Sequence, residues 1–216
     1  MPFSAEQFMD VFRKYNNAVY PMQLVLFILA GVTILLIFNR HGRNGSKWIS
    51  LLLSLFWTWM GVFYHLLFFS TINKAAYLFG LLFILQGILF FYFGFVRHKL
   101  VFHFEPNKYG ITGLVIIFYA LILYPVFGYL QGHIYPSSPT FGLPCPTTIF
   151  TFGILLWTQP KFPKGILVIP FLWSIVGLAA AFSFGMKEDL ALILCAIGTT
   201  VLILLHGREY KVMSSQ

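Results

Sequence analysis

The sequence predicts an all-α integral membrane bundle: seven transmembrane helices, with a short broken fifth helix and an amphipathic interfacial helix ahead of the first span. Three observations carry this. Seven stretches are apolar enough to leave water. The chain is 59% hydrophobic and only 9% charged, with a mean hydropathy of +0.83, where a water-soluble domain carries about 25% charged residues. Lysine and arginine also fall unevenly between the links, as the positive-inside rule requires of a polytopic protein.

Taken in chain order, residues 1–20 form an amphipathic segment at the outer interface. Phe8, Phe12 and Tyr15 fall on one face of a helix over Phe3 to Tyr15, and Glu6, Asp10, Arg13 and Lys14 lie elsewhere. Ser4 is the expected N-cap, with Gln7 three residues on. Such a helix lies on a bilayer rather than across it. Residues 21–206 make the transmembrane domain, with spans over Pro21 to Phe38, Trp48 to Thr71, Ala75 to Val96, Ile111 to Leu130, Pro146 to Trp157, Ile166 to Gly185 and Leu190 to His206. Most reach the ~17–25 residues a helix needs to cross the hydrocarbon. The fifth has about twelve residues, or ~18 Å of helix. Residues 207–216 form a tail. The start lacks a basic stretch leading into a short apolar core, so no cleavable signal peptide is expected. There is room for one bundle and no soluble domain.

With seven crossings, Arg40, Arg43, Lys47, Arg97, Lys99, Lys108, Lys161, Lys164, Arg208 and Lys211 share one side, and Arg13, Lys14, Lys74 and Lys187 the other. Ten against four puts the richer side in the cytoplasm and the N-terminus outside. A re-entrant fifth segment would even the split to seven against seven, so a short but complete crossing is favoured. The formal charge of +8 therefore reports topology, and no nucleic-acid partner is expected.

Small and polar residues mark the inward faces. Ser54, Thr58, Gly61 and His65 share a face of the second span; Gly80, Gly87 and Gly94 repeat along the third; Gly177, Ala181 and Gly185 form a small-residue stripe on the sixth; Glu188, Cys195, Thr199 and His206 share a face of the seventh. An imidazole at His65, below the outer surface, is costly unless partnered, so it reads either as a functional residue or as a satisfied core histidine. The link between the fourth and fifth spans is rich in Pro and Gly and places Cys145 at the start of the fifth helix, where the helix dipole favours anions and thiolates. Tyr64, His65, Asn73, His133, Tyr135, Cys145, Thr147 and Thr148 are the expected lining of an outer vestibule, with Ser54, Thr58, Cys195 and Thr199 continuing inward. His65, His133 and Cys145 have the chemistry to ligate zinc or copper, but their spacing matches no metal motif, so no metal is assigned. Glu188 and Asp189, opening the seventh span, are expected to be an interfacial helix-start pair. No nucleotide, zinc-protease, redox or hydrolase motif occurs, and no cofactor is expected.

The run Phe8, Phe12, Tyr15-Asn16, Tyr20-Pro21 and Gln23, then Tyr64-His65, Phe68-Phe69, Ile72-Asn73 and Ala75-Ala76, then Gly132 to Pro136 and Phe141-Gly142 to Cys145-Pro146-Thr147-Thr148 resembles an uncharacterised bacterial family of multi-spanning inner-membrane proteins. That family is a domain of unknown function, sometimes loosely labelled permease. The resemblance spans nearly the whole chain and implies a bacterial inner membrane location; it implies no activity. The expected function is a small-solute transporter or channel-like permease, because broken helices hold ligands in transporters. The alternative is a membrane-embedded enzyme or metal-binding protein working from the periplasmic face through Cys145 and His65 or His133. A third expectation is a structural subunit. The expected partners are bilayer lipid, a small-molecule or ion ligand, and a second copy in a homo-oligomer; in the structural-subunit reading the glycine seams bind partner helices.

Overall fold

A computed structural model of the protein describes residues 3–39 and 42–213. Among the described residues the regular structure is helical, with two isolated β-bridges and no strand. Helix α1 (Ala5–Val19) opens with the predicted reciprocal cap: Ser4 Oγ accepts from the Gln7 N–H at 3.2 Å, and Gln7 Oε1 accepts from the Ser4 N–H at 2.9 Å. Phe8, Val11, Phe12 and Tyr15 turn onto the bundle, while Asp10 pairs with Arg13 and Lys14 on the outer side. The chain then bends by 83° into α2 (Met22–Phe38). The apolar face of α1 is thus spent on protein, and α1 closes one end of the bundle like a strap.

Helix α3 (Gly42–Trp59) runs on through a π-helical stretch, Met60–Phe68, and a tight turn, Phe69–Thr71; α4 (Ala76–Phe90) also ends in a π-helical turn, Phe91–Val96. Helix α5 (Lys108–Phe118) passes through Tyr119–Leu123 into Tyr124–Leu130, and α6 spans Pro144–Leu155. The turn Lys164–Leu167 leads into α7 (Val168–Phe184), and Lys187–Asp189 into α8 (Leu190–Met213). Among the described residues five continuous stretches are long and apolar enough to cross a membrane: Asn44–Thr71, Ala76–Val96, Lys108–Leu130, Lys164–Phe184 and Lys187–Tyr210. Helix α2, with 17 residues, joins them only as a bent pair with α1, and α6, with 12, is shorter. Every predicted stretch is helical, so the number of crossings turns on α2 and α6. The predicted tail is helical as far as Met213; positions 214–216, like Arg40, lie outside the described residues.

Helix α6 is apolar on every side, and such a helix belongs in the centre of a bundle. Apart from Cys145, all its residues are buried. It packs against α5, α7 and α8, and against α3 where the Trp57 indole donates to Thr151 Oγ1 at 3.1 Å. Its shortness is made up by irregular chain at both ends. At the C-terminal end the α4–α5 link folds inward, burying Leu100 and Phe102; the His103 N–H donates to Trp157 O at 2.6 Å and the Gln159 N–H to Val101 O at 2.9 Å. At the N-terminal end Phe141 and Leu143 are buried. Irregular backbone at this depth is tolerated because its polar groups are paired inside protein.

The glycine seam of α4 closes within the chain. A Cβ on Gly61 would stand 2.8 Å from Gly80 O, one on Gly87 2.9 Å from Ser54 O, and one on Gly94 would collide with the Ser50 side chain. Only hydrogen permits that approach of α3 to α4, so Ser54 and Thr58 pack against Gly87. On the predicted stripe of the sixth span, Gly177 packs on Leu192 of α8 and Ala181 is buried. Gly185 departs from expectation: with φ +72° it terminates α7 in the left-handed conformation, where a Cβ is costly, and extends no seam.

Candidate functional site

In the π-helical stretch Met60–Phe68 the backbone is wider than an α-helix, which slips the phase of the side chains by about one residue. Tyr64 and His65, sequence neighbours, are both buried. Tyr64 turns beneath α1, stacking on Phe12 and Phe69. There a cavity of about 170 Å³ opens between α1, α3, α4, α7 and the start of α6. That volume is close to the ~150 Å³ of an engineered apolar cavity that takes up benzene.

The cavity is apolar with a polar end. Phe8, Phe12, Phe79 and Phe184 form its walls; Cys145, Asp189, Tyr124, Asn73 and Trp173 also line it. Asp189 is carried in by the turn Lys187–Asp189, is 2% exposed, and accepts a hydrogen bond from the Tyr124 hydroxyl. The Cys145 thiol, in the first turn of α6, neighbours the Asp189 carboxyl and the Trp173 indole. Trp173 is 8% exposed, and its N–H has no hydrogen-bond partner among the described residues. Its indole nitrogen has no accessible surface and stands against the Cys145 thiol, so it does not open into the cavity.

Glu188, the adjacent acid, does something different. Its carboxylate receives His133 Nδ1 at 2.7 Å and the Gln131 amide at 2.9 Å, and its carbonyl accepts from the Tyr119 hydroxyl at 2.9 Å. A Cβ on Gly128 would lie 3.3 Å from Glu188 Oε1, so the glycine leaves room for this approach. His133 is therefore engaged in pinning the loop to α8. Both acids are 2% exposed, and the expectation of an interfacial helix-start pair is corrected: they are buried because Tyr119, Tyr124 and the 131–133 turn close over them.

The predicted vestibule residues divide among several environments. Tyr64, Asn73 and Cys145 come together in the cavity. His65 stands beside it but is fully enclosed, ringed by Tyr64, Phe69, Phe79, Phe83 and Trp173 with ring centroids 4.6–6.0 Å away, and neither ring nitrogen has a hydrogen-bond partner among the described residues. Tyr135 is half exposed and lines a separate lateral groove of about 360 Å³ between α2, α5 and the loop. Thr147 is structural, its hydroxyl accepting the Gly142 N–H at 2.9 Å where φ is +95°. Thr148 is buried with its hydroxyl unpartnered among the described residues.

Of the predicted inner path, Ser54 and Thr58 are consumed by the α3–α4 seam, Cys195 packs at the edge of the core, and Thr199 is buried. Trp57, Met60, Phe83 and Phe90 fill the interior at 0–1% exposure. The expected polar route is thus replaced by close-packed aromatic side chains. Among the described residues no three His, Cys, Asp or Glu side chains are grouped to hold a metal ion; His65, His133 and Cys145 have different neighbours. Asp189, Tyr124 and Trp173 are the site residues that sequence reasoning passed over.

No curated protein and no solved structure matches the chain. A family model does match, across residues 5–214, which includes the α1 strap, the Cys145 segment and both buried acids. The chain belongs to DUF6064, a family of unknown function.

Proposed function

We propose that the protein crosses the membrane seven times with its N-terminus outside, and that its outer end holds a pocket for a small amphiphile with an apolar body and a polar end. The α1 strap covers that pocket. Pairing of the 101–103 segment with 157–159 supports a complete crossing by α6, because the link after α4 and the link after α6 then lie on one side. The asymmetry of Lys and Arg supports the orientation, and the family resemblance supports a bacterial inner membrane. The single observation that carries the pocket is an apolar cavity whose polar end is formed by Cys145, Asp189 and the Tyr124 hydroxyl that donates to Asp189. The phenylalanine walls take the apolar body, and Cys145 and Asp189 meet the polar end. Selective binding at the outer face fits this packing better than conduction.

Transport is the second reading, and one observation favours it. A more polar cavity of about 320 Å³, lined by His103, Asn107, Thr158 and His206, opens at the other end of α6. Alternating access would require α6 and its neighbours to part.

The test uses the fact that the chain has only two cysteines. In a Cys195→Ala variant, alkylation by N-benzylmaleimide reports on Cys145 alone. Benzyl alcohol, an aromatic ring bearing a hydroxyl, is expected to slow alkylation, and Phe79→Ala, which removes one apolar wall, to weaken that protection. Alkylation indifferent to benzyl alcohol at all concentrations below detergent disruption would contradict the pocket.

A further inference from the structure

The end of the bundle remote from α1 carries a feature that the pocket does not use. Four cations, Lys99 after α4, Lys161 and Lys164 in the link before α7, and Arg208 near the end of α8, line one groove of about 790 Å³. No carboxylate lines it, and among the described residues none of the four pairs with one. The nearby acid Glu209 is engaged by Lys108 at 2.7 Å and by the Tyr109 hydroxyl at 2.8 Å.

The lysines are held rather than free. Lys164 Nζ donates to Pro160 O at 3.1 Å and stands 4.1 Å from the Phe162 ring centroid; Lys161 Nζ stands 5.0 Å from that of Tyr210. Pro160 and Pro163 stiffen the link between them. Leu204, half exposed, continues the groove along an α8 face that presents Ile197, Val201 and Leu205 outward. Positive charge therefore sits where an apolar helix face ends.

We propose that this groove binds the phosphodiester headgroup of an anionic phospholipid, with Lys161, Lys164 and Arg208 on the phosphate and the acyl chains along α8. Complementarity of charge and the apolar continuation favour a lipid over a soluble anion: the phosphate alone would use only the cationic half. The proposal rests on the membrane reading above but not on the outer pocket, and its failure leaves the Cys145 alkylation result untouched.

The experiment measures the phospholipid retained by purified protein from nanodiscs of phosphatidylcholine doped with phosphatidylglycerol, read by native mass spectrometry. Wild type is expected to retain phosphatidylglycerol preferentially. The variant K161Q/K164Q/R208Q is expected to lose that preference roughly hundredfold, at about 1 kcal/mol per basic residue near a membrane surface. K161R/K164R should keep it, and K74Q/K187Q, at the opposite end, should leave it unchanged. Should the triple variant not fold, a salt titration on wild type takes its place, and the preference must fall as ionic strength rises. Unchanged preference in the folded triple variant, insensitivity to salt, or displacement of the lipid by equimolar inorganic phosphate would overturn the proposal.

Discussion

Asn16 ties three parts of the chain together with one side chain. Its amide donates to Pro136 O at 2.7 Å and Ser138 O at 2.8 Å, its oxygen accepts from the Thr140 hydroxyl at 2.8 Å, and its backbone carbonyl accepts from Gln23 at 2.6 Å. Removing the amide leaves loop carbonyls and a hydroxyl without partners, at a cost of about 1–3 kcal/mol for each group that stays buried. Asn16→Ala should therefore lower the melting temperature in detergent and speed alkylation of Cys145, since the loop over the pocket loses its tether. Asn16→Asp should be worse, because a carboxylate oxygen would face two carbonyls. An Asp variant as stable as wild type would show that the loop is held by something else. Glu188 makes the parallel case on α8: Glu188→Ala strands His133 and Gln131 and should cost more than Glu188→Gln, which keeps an acceptor. Equal melting temperatures for the two would show that His133 and Gln131 do not hold the loop through Glu188.

At the scale of elements, helix approach is set by which glycines have a neighbour. In α4 a Cβ on Gly87 would meet Ser54 O at 2.9 Å and press on Thr58, whereas one on Gly31 of α2 would meet nothing within 4 Å. Gly87→Ala should destabilise by about 1–3 kcal/mol through overpacking. Gly31→Ala should be neutral or slightly stabilising, because alanine removes unfolded-state freedom without a clash. Thermal unfolding of the two variants side by side checks this, and equal shifts would mean that α3 and α4 are not in backbone contact. The strap α1 is held by its aromatic face. Phe12 is 4% exposed with its ring centroid 4.6 Å from Phe8 and 6.0 Å from Tyr64. Phe12→Ala should cost about 3–5 kcal/mol as a core truncation and open the cavity to N-benzylmaleimide; unchanged labelling would detach α1 from the role of cover.

For the molecule as a whole, what was legible in the sequence was whatever depends on short range. Helix α1 could be read because Ser4 and Gln7 cap it locally and Phe8, Phe12 and Tyr15 repeat at helical spacing. The apolar stretches could be read because length and hydropathy suffice. The site was only half legible. Tyr64, Asn73 and Cys145 were legible as one lining, but His65 is sealed among aromatic rings from α4 and α7 that its own helix does not announce. Asp189 looked like a helix-start carboxylate because nothing near it in sequence announces Tyr124, 65 residues away, as its partner. Trp173 looked like one more apolar residue, since an unpaired N–H is visible only once its surroundings are known. Side chains such as Ser54 and Thr58 read as a polar path because a helix face does not say whether water or a glycine lies opposite.

The central claim is that α6 crosses completely, so that the Cys145 end and the Lys161 end face opposite sides. Lys74, Lys161 and Lys187 are all exposed, and each can be replaced singly by cysteine in a Cys145→Ser, Cys195→Ala background. Labelling of intact cells with a membrane-impermeant maleimide tests sidedness directly. Lys74→Cys and Lys187→Cys should label from outside and Lys161→Cys only after the membrane is opened. Labelling of Lys161→Cys from the same side as Lys74→Cys, with Lys187→Cys protected, would make α6 a re-entrant segment and contradict the account.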